Sequence, residues 1–290
     1  MKVDNAIILA AGTSSRFAPL SYEKHKALTM VKGDVLIERQ IKQLKISGVP
    51  DVYIVVGYKA EQFEYLKEKY GVRIIYNKDY LTRNNNASIW VARGVLGNSY
   101  ICSADNYFLT NPFEPEVEDA YYAAEYSNGI TSEWCMTVNE EGYISQVKIG
   151  GASAWYMYGH TFWSRQFSER FISVLEKEYN FPETHCKLWE KIFMEHLDIL
   201  KMKIKKYEPG TIYEFDTLDE LRKFDSSYIA DTRSSILKHI SLKLGITEKD
   251  IVNIKNVNGA SSEAIGFEFD CPAGRFVYDY ESEELKSVGR

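Results

Sequence analysis

The 290-residue chain has no apolar run long enough to cross a membrane, so no helical span organises it and no membrane insertion is expected. Met1-Lys2-Val3-Asp4 leads into a strand-like run rather than a signal peptide, so the expected location is cytoplasmic. Basic blocks are missing as well. With 35 Lys and Arg against 41 Asp and Glu, the net charge is −6, and nothing offers the positive surface that nucleic acid requires. Cysteine is scarce: Cys102, Cys135, Cys186 and Cys271 lie far apart, with no Cys-x-x-Cys and no Cys/His spacing for a metal. Reduced thiols are the expectation. No internal repeat or low-complexity tract occurs. Aromatic residues, by contrast, are plentiful. Twenty-one Tyr, 14 Phe and 5 Trp are enough to fill a core and still leave rings for a cage around an organic cation.

The most specific stretch is near the start. Ala6-Ile7-Ile8-Leu9-Ala10 reads as a buried strand running into Ala11-Gly12-Thr13-Ser14-Ser15-Arg16, followed by Pro19 and Lys26-Ala27-Leu28. Small residues let an anion approach the backbone N–H groups of this loop, and Arg16 and Lys26 bring two positive charges to it. Arg16, Pro19 and Lys26 in register set the segment apart from an ordinary strand-to-helix turn. It reads as a nucleoside triphosphate site, and it resembles the nucleotidyltransferase signature LAAGxGSRxxPxTxxxPKAL. Three positions depart from that pattern: Ser14 stands for the second Gly, Ser21 for Thr, and His25 for the Pro before the Lys.

Downstream, Ile37, Ile41 and Leu44 recur at helical spacing, and Val52–Val56 is a continuous apolar strand. Helices are expected from Phe63 to Gly71 and from Ala87 to Leu96, with strands at Val72–Tyr76 and Tyr100–Asp105. This alternation predicts an α/β fold, a mostly parallel Rossmann-like sheet flanked by helices, with ligands beyond the strands' carboxyl ends at Gly12, Gly57 and Asp105. From Tyr121 an antiparallel acceptor-side subregion is expected, with strands at 134–138, 143–149 and 155–161 and turns at Glu141-Gly142 and Gly150-Gly151. Helices at 168–179 and 184–196, strands at 199–204 and 212–215, and a helix through Leu218, Leu221 and Phe224 follow. The expected organisation is a nucleotidyltransferase domain over 1–225, a linker over 226–234 and a small α+β module over 235–290. That module reads as a helix over 235–244, short strands near Ile251, Phe267 and Phe276, and a hairpin turn over 259–266.

Nucleotidyl transfer is in-line attack by a phosphate oxygen on an α-phosphorus, so the chain must align two anions and neutralise them. That calls for Mg²⁺, carboxylates to hold it, and basic side chains on the phosphates. Asp105 ends a strand and could equally open an Asx turn. Asp216 closes Ile212-Tyr213-Glu214-Phe215-Asp216 and could equally cap the next helix, where Thr217 and Glu220 form a potential capping box. Resemblance decides for Asp216, because the transferase family has a metal-binding Asp at both places, with Glu214 assisting. Leu9, Ala11, Gly12, Gly57, Tyr58, Asn84 and Ser88 are the candidates for holding the nucleotide. His160 in Tyr158-Gly159-His160 lacks the partner His of an HxGH box and is set aside.

The segments VGYKAEQFEYLKEKYGVRIIYN, NSYICSADNYF, SEW and TIYEFDT resemble bacterial LicC-type CTP:phosphocholine cytidylyltransferases over about residues 3 to 225. The resemblance implies CTP as nucleotide, phosphocholine as acceptor and CDP-choline as product. It also implies aromatic and acidic side chains around the trimethylammonium group, here Trp134, Tyr158 and Trp189 with Glu190 as counter-charge. Trp134 could equally be strand core, and Trp189 a helix packing face. Asn86 and Ala87 stand where the family has aromatic residues, which leaves room for a smaller amine. The alternatives are a transferase acting on a sugar 1-phosphate or another phospho-amine or phosphonate, and a nucleotide-binding regulator without turnover. The C-terminal residues faintly resemble the small lobe of a choline-kinase-like fold and lack a catalytic lobe, which leaves an accessory or homodimerisation module.

Overall fold

The computed structural model describes residues 1–259 and 264–288. The turn expected over 259–266 therefore falls partly on residues 260–263, outside the described residues. The chain divides into two compact units, one of residues 1–12 with 37–214, the other of residues 13–36 with 215–290. Among the described residues no helix is long and apolar enough to cross a membrane.

The first unit is built on a seven-stranded sheet. Its spatial order is Lys203–Lys206, Tyr121–Val138, Ile144–Trp163, Ser99–Ser103, Asn5–Ala10, Asp51–Val56 and Arg73–Tyr76. The last four run parallel, and Ile144–Trp163 pairs antiparallel with Ser99–Ser103 and with Tyr121–Val138. Ile7, Ile8, Ile54 and Val55 are fully buried, as continuous apolar strands covered on both faces must be. Each such side chain contributes about 1.5–3 kcal/mol through burial. The helix Leu36–Ile46 turns Ile37, Ile41 and Leu44 inward. The helix Tyr65–Tyr70 stops at Gly71, whose φ of +64° favours glycine.

The antiparallel region differs from the expected short strands. Two strands of 18 and 20 residues form one long ribbon. Its turn lies at Gly142, but Gly150-Gly151 is not a turn. Gly150, at φ +78°, kinks the second strand without reversing it, and the register shifts along the ribbon. Residues 184–188 do not open the next helix either. The carbonyls of Cys186 and Lys187 accept hydrogen bonds from the Asn84 and Asn86 side chains, and the helix starts at Trp189. The strand expected at 199–204 lies at Lys203–Lys206.

In the second unit a four-stranded antiparallel sheet orders Val252–Asn258, Ala264–Cys271, Gly274–Asp279 and Leu285–Val288, and the helix Ser235–Leu244 buries Leu237 and Ile240. The final strand was not among those expected. Residues 226–234, read as a linker, include the short helix Ser227–Ala230.

Candidate active site

Three strand ends of the first unit converge where an α/β sheet offers ligands a crevice. After Ala10 the chain enters Ala11-Gly12, and the Ala11 carbonyl accepts the N–H of Tyr58, 3.0 Å away. Gly57 sits at that junction because nothing larger fits. A Cβ there would stand 2.7 Å from the Tyr80 ring and 2.8 Å from the Ala11 oxygen. Gly12 is exposed, and a Cβ there would meet no atom within 4 Å beyond its chain neighbours, so the loop leaves space at this position. Leu9 lies at the same strand end, half-buried.

Asp105 is held in a turn between Ser99–Ser103 and Asn106–Phe108. The Ser103 hydroxyl donates to it at 2.6 Å. The buried Gln40 side chain braces the turn by donating to the carbonyls of Ser103 and Asn106, both at 2.8 Å. Asn106 pairs with Glu214 in the antiparallel partner strand Ile212–Glu214. Carboxylate oxygens of Asp105 and Glu214 consequently lie within 4.8 Å of each other. These are hard oxygen donors of the kind Mg²⁺ takes. Asn106 is itself buried with neither side-chain atom hydrogen-bonded, an orphaned polar group directly beside this pair.

In the second unit Asp216 gathers the two basic residues of the signature. Its carboxylate lies 2.9 Å from Arg16 and 3.2 Å from Lys26. Lys26 is almost wholly buried, whereas the Arg16 side chain is 72% exposed and able to move onto a ligand. The capping role is taken by Thr217 and Glu220, which form the complete capping box of the helix Leu218–Phe224. The Asp216 side chain is thereby left to the two cations. Two departures from the signature find their reason here. His25, at φ −57°, holds the angle a proline would impose, and its ring accepts the N–H of Ala27 at 3.1 Å, fixing the turn that carries Lys26. Ser14 adopts φ +51°, the left-handed conformation that a glycine takes without cost.

The candidate acceptor-side aromatics Trp134, Tyr158 and Trp189 lie in the first unit. Trp189 is buried, its ring stacked 5.8 Å from Tyr122 and edge-on to Trp163 at 5.2 Å. The packing role is therefore what its contacts describe. Trp134 packs half-buried against the same apolar cluster. Beside Trp189, the Glu190 carboxylate accepts from Asn85 at 3.1 Å and from the Tyr122 hydroxyl. Burial raises its pKa to about 7 despite the hydrogen bonds, which favour the charged form. Tyr158 is half-buried, 5.5 Å from Tyr156, with its hydroxyl on the backbone of Glu214. Burial, then the charges of Glu214 and Glu125, push its pKa well up.

Asn84 and Ser88 have protein partners. Asn84 reaches the Cys186 carbonyl at 3.2 Å, and the Ser88 hydroxyl accepts from Asn77 at 3.1 Å. His160 is buried, and desolvation drives its pKa down to about 3. Sequence reasoning missed Gln40, Asn85 and Tyr122. Gln40 alone left a signal, since it falls within the apolar stripe of Ile37, Ile41 and Leu44.

Residues 6–126 match the family model for the MobA-like NTP transferase domain. The choline-phosphate cytidylyltransferase of Streptococcus pneumoniae is 34% identical over 76% of this chain and 96% of its own length. The 2-aminoethylphosphonate cytidylyltransferase of Lancefieldella rimae is 33% identical over 79% of this chain and 95% of its own. The solved structure of CTP:phosphocholine cytidylyltransferase (LicC) from S. pneumoniae superposes with a TM-score of 0.74, covering 78% of this chain and 99% of that one. The signature loop, a carboxylate pair at the strand ends and relatives matched over nearly their whole length agree: the chain is a nucleotidyltransferase and belongs to the LicC-type cytidylyltransferases.

Proposed function

We propose that the chain transfers the cytidylyl group of CTP to phosphocholine, giving CDP-choline and pyrophosphate, with Mg²⁺ as cofactor. An oxygen of the acceptor phosphate attacks the α-phosphorus in line. One O–P bond forms as the bond to the bridging oxygen of the leaving pyrophosphate breaks, so no covalent enzyme intermediate is needed. Arg16 and Lys26 stabilise the charge that builds on the phosphates. Leu9, Ala11, Gly12, Gly57 and Tyr58 frame the nucleotide, with Asn84 and Ser88 fixing the helix beside it.

Asp105, Glu214 and Asp216 would hold the Mg²⁺, the chain keeping Asp216 two residues beyond Glu214. Bound there, the ion would neutralise phosphate charge. A cytoplasmic location, where nucleoside triphosphates are made, belongs to the same proposal.

The observation that carries the acceptor assignment is the Glu190 carboxylate, half-buried among Trp189, Tyr122 and Asn85 and left short of charge compensation. A fixed cation restores its ionised form, and an aromatic face adds about 0.5–2 kcal/mol for a quaternary ammonium. Trp134 and Tyr158 supply further rings. The test is an acceptor panel with CTP and UTP: phosphocholine, phosphoethanolamine, 2-aminoethylphosphonate and a sugar 1-phosphate. The highest kcat/KM should belong to CTP with phosphocholine. Preference for the sugar phosphate, or turnover with no phospho-amine, overturns the assignment.

A further inference from the structure

The signature segment shares its unit with the C-terminal residues, and four of its residues are anchored there. Tyr22 stacks on Tyr280 with ring centres 3.8 Å apart and planes 3° from parallel. Next to it, the Glu23 carboxylate accepts the N–H groups of Ser235 at 2.7 Å and Ile236 at 3.3 Å, and also the Ser235 hydroxyl. Glu23 thus caps the first turn of the helix Ser235–Leu244 from more than 200 residues away. Beyond Lys26, the Met30 carbonyl accepts from the Tyr228 hydroxyl at 2.7 Å and from Arg233 at 3.1 Å. The Lys32 N–H donates to Asp225 at 2.8 Å. Lys26 lies between the anchors at 22–23 and those at 30–32. The S. pneumoniae relative aligns over 96% of its length with only 76% of this chain, so this chain carries residues that the relative lacks.

We infer that the C-terminal module is a built-in brace for the phosphate-binding loop, and that Tyr22, Glu23 and Tyr280 are positioning residues for Lys26. None of the three needs to touch substrate. They fix the backbone just before a buried lysine, as Tyr228, Arg233 and Asp225 fix it just after. In the proposed reaction that ammonium must meet the triphosphate, and a misplacement of about 1 Å can cost 10²-fold in rate. The brace acts on the nucleotide half of the reaction, so loosening it selectively weakens use of CTP.

The test uses the full-length chain with Tyr280→Ala and Glu23→Ala, each beside its conservative partner, Tyr280→Phe and Glu23→Gln. Steady-state kinetics with CTP and phosphocholine are combined with hydrogen exchange of residues 20–32 in the absence of ligands. The expected result is a rise of about tenfold in KM for CTP for both alanine variants, an unchanged KM for the acceptor, and faster exchange over 20–32. Tyr280→Phe, which keeps the stack, and Glu23→Gln, which keeps an acceptor oxygen, recover most of the loss. Exchange over 20–32 at the wild-type rate overturns the brace whatever the kinetics show. So does an equal rise in both KM values, or a lowered Tm with both KM values unmoved. If Tyr280→Ala does not fold, Glu23→Ala, at the rim of the contact, decides by the same readouts.

Discussion

Lys26 and Asp216 show how much one residue can carry. The nearly buried Lys26 ammonium lies 3.2 Å from the Asp216 carboxylate, and in the proposed reaction it meets the triphosphate already largely desolvated. Lys26→Ala should lower kcat/KM by about 10²–10³-fold with little change in Tm, and Asp105→Asn should do likewise, as loss of one preorganised charge contact typically does. Near-wild-type rates for either would remove it from the site. Glu190 gives a pH signature. Its folded-state pKa of about 7 lies above the ordinary 4.5, so the folded protein holds the proton more tightly than the unfolded chain. The stability from the neutral form is complete below about 4.5 and is lost as pH rises through about 7. Glu190→Gln keeps the neutral shape, so its Tm should gain on wild type as pH rises across that window, while its KM for phosphocholine increases. A pH-independent Tm difference would contradict the burial of that charge. At this scale Arg16, Lys26 and Asp105 stood out as candidates because loop chemistry depends on local sequence. Tyr122 and Asn85 were not, because their roles depend on Glu190, which reaches them only through folding.

Elements set the geometry these residues need. The parallel strands were legible from continuous apolar runs, and so was the place where their ends would gather. The long ribbon was not, since a glycine pair reads as a turn while only the tertiary pairing shows Gly150 kinking a strand that continues. The helix at Trp189 started late for a similar reason, its expected first turn being drawn off by Asn84 and Asn86. Two element-level changes test the framework. Gly57→Ala drives a methyl into the Tyr80 ring and the Ala11 carbonyl, and should cost about 1–3 kcal/mol by urea denaturation, with a raised KM for CTP. Gln40→Leu leaves the Ser103 and Asn106 carbonyls without their buried donor and should cost about 1–3 kcal/mol. It should also lower kcat, because the turn bearing Asp105 loses its brace. Unchanged kcat would mean that the turn holds itself.

Across the whole molecule, the α/β class was legible in the first hundred residues and the family in segments reaching as far as residue 217. The signature segment belongs with residues 215–290, a partnership set by contacts such as Tyr22 with Tyr280 that no local pattern announces. Pyrophosphate release by the purified full-length protein, measured with CTP, phosphocholine and Mg²⁺ together and with each omitted in turn, tests the proposed reaction most directly. Release should occur only with all three present, in step with formation of CDP-choline. Release from CTP without an acceptor, or full release after Mg²⁺ is chelated, would contradict in-line transfer at this site.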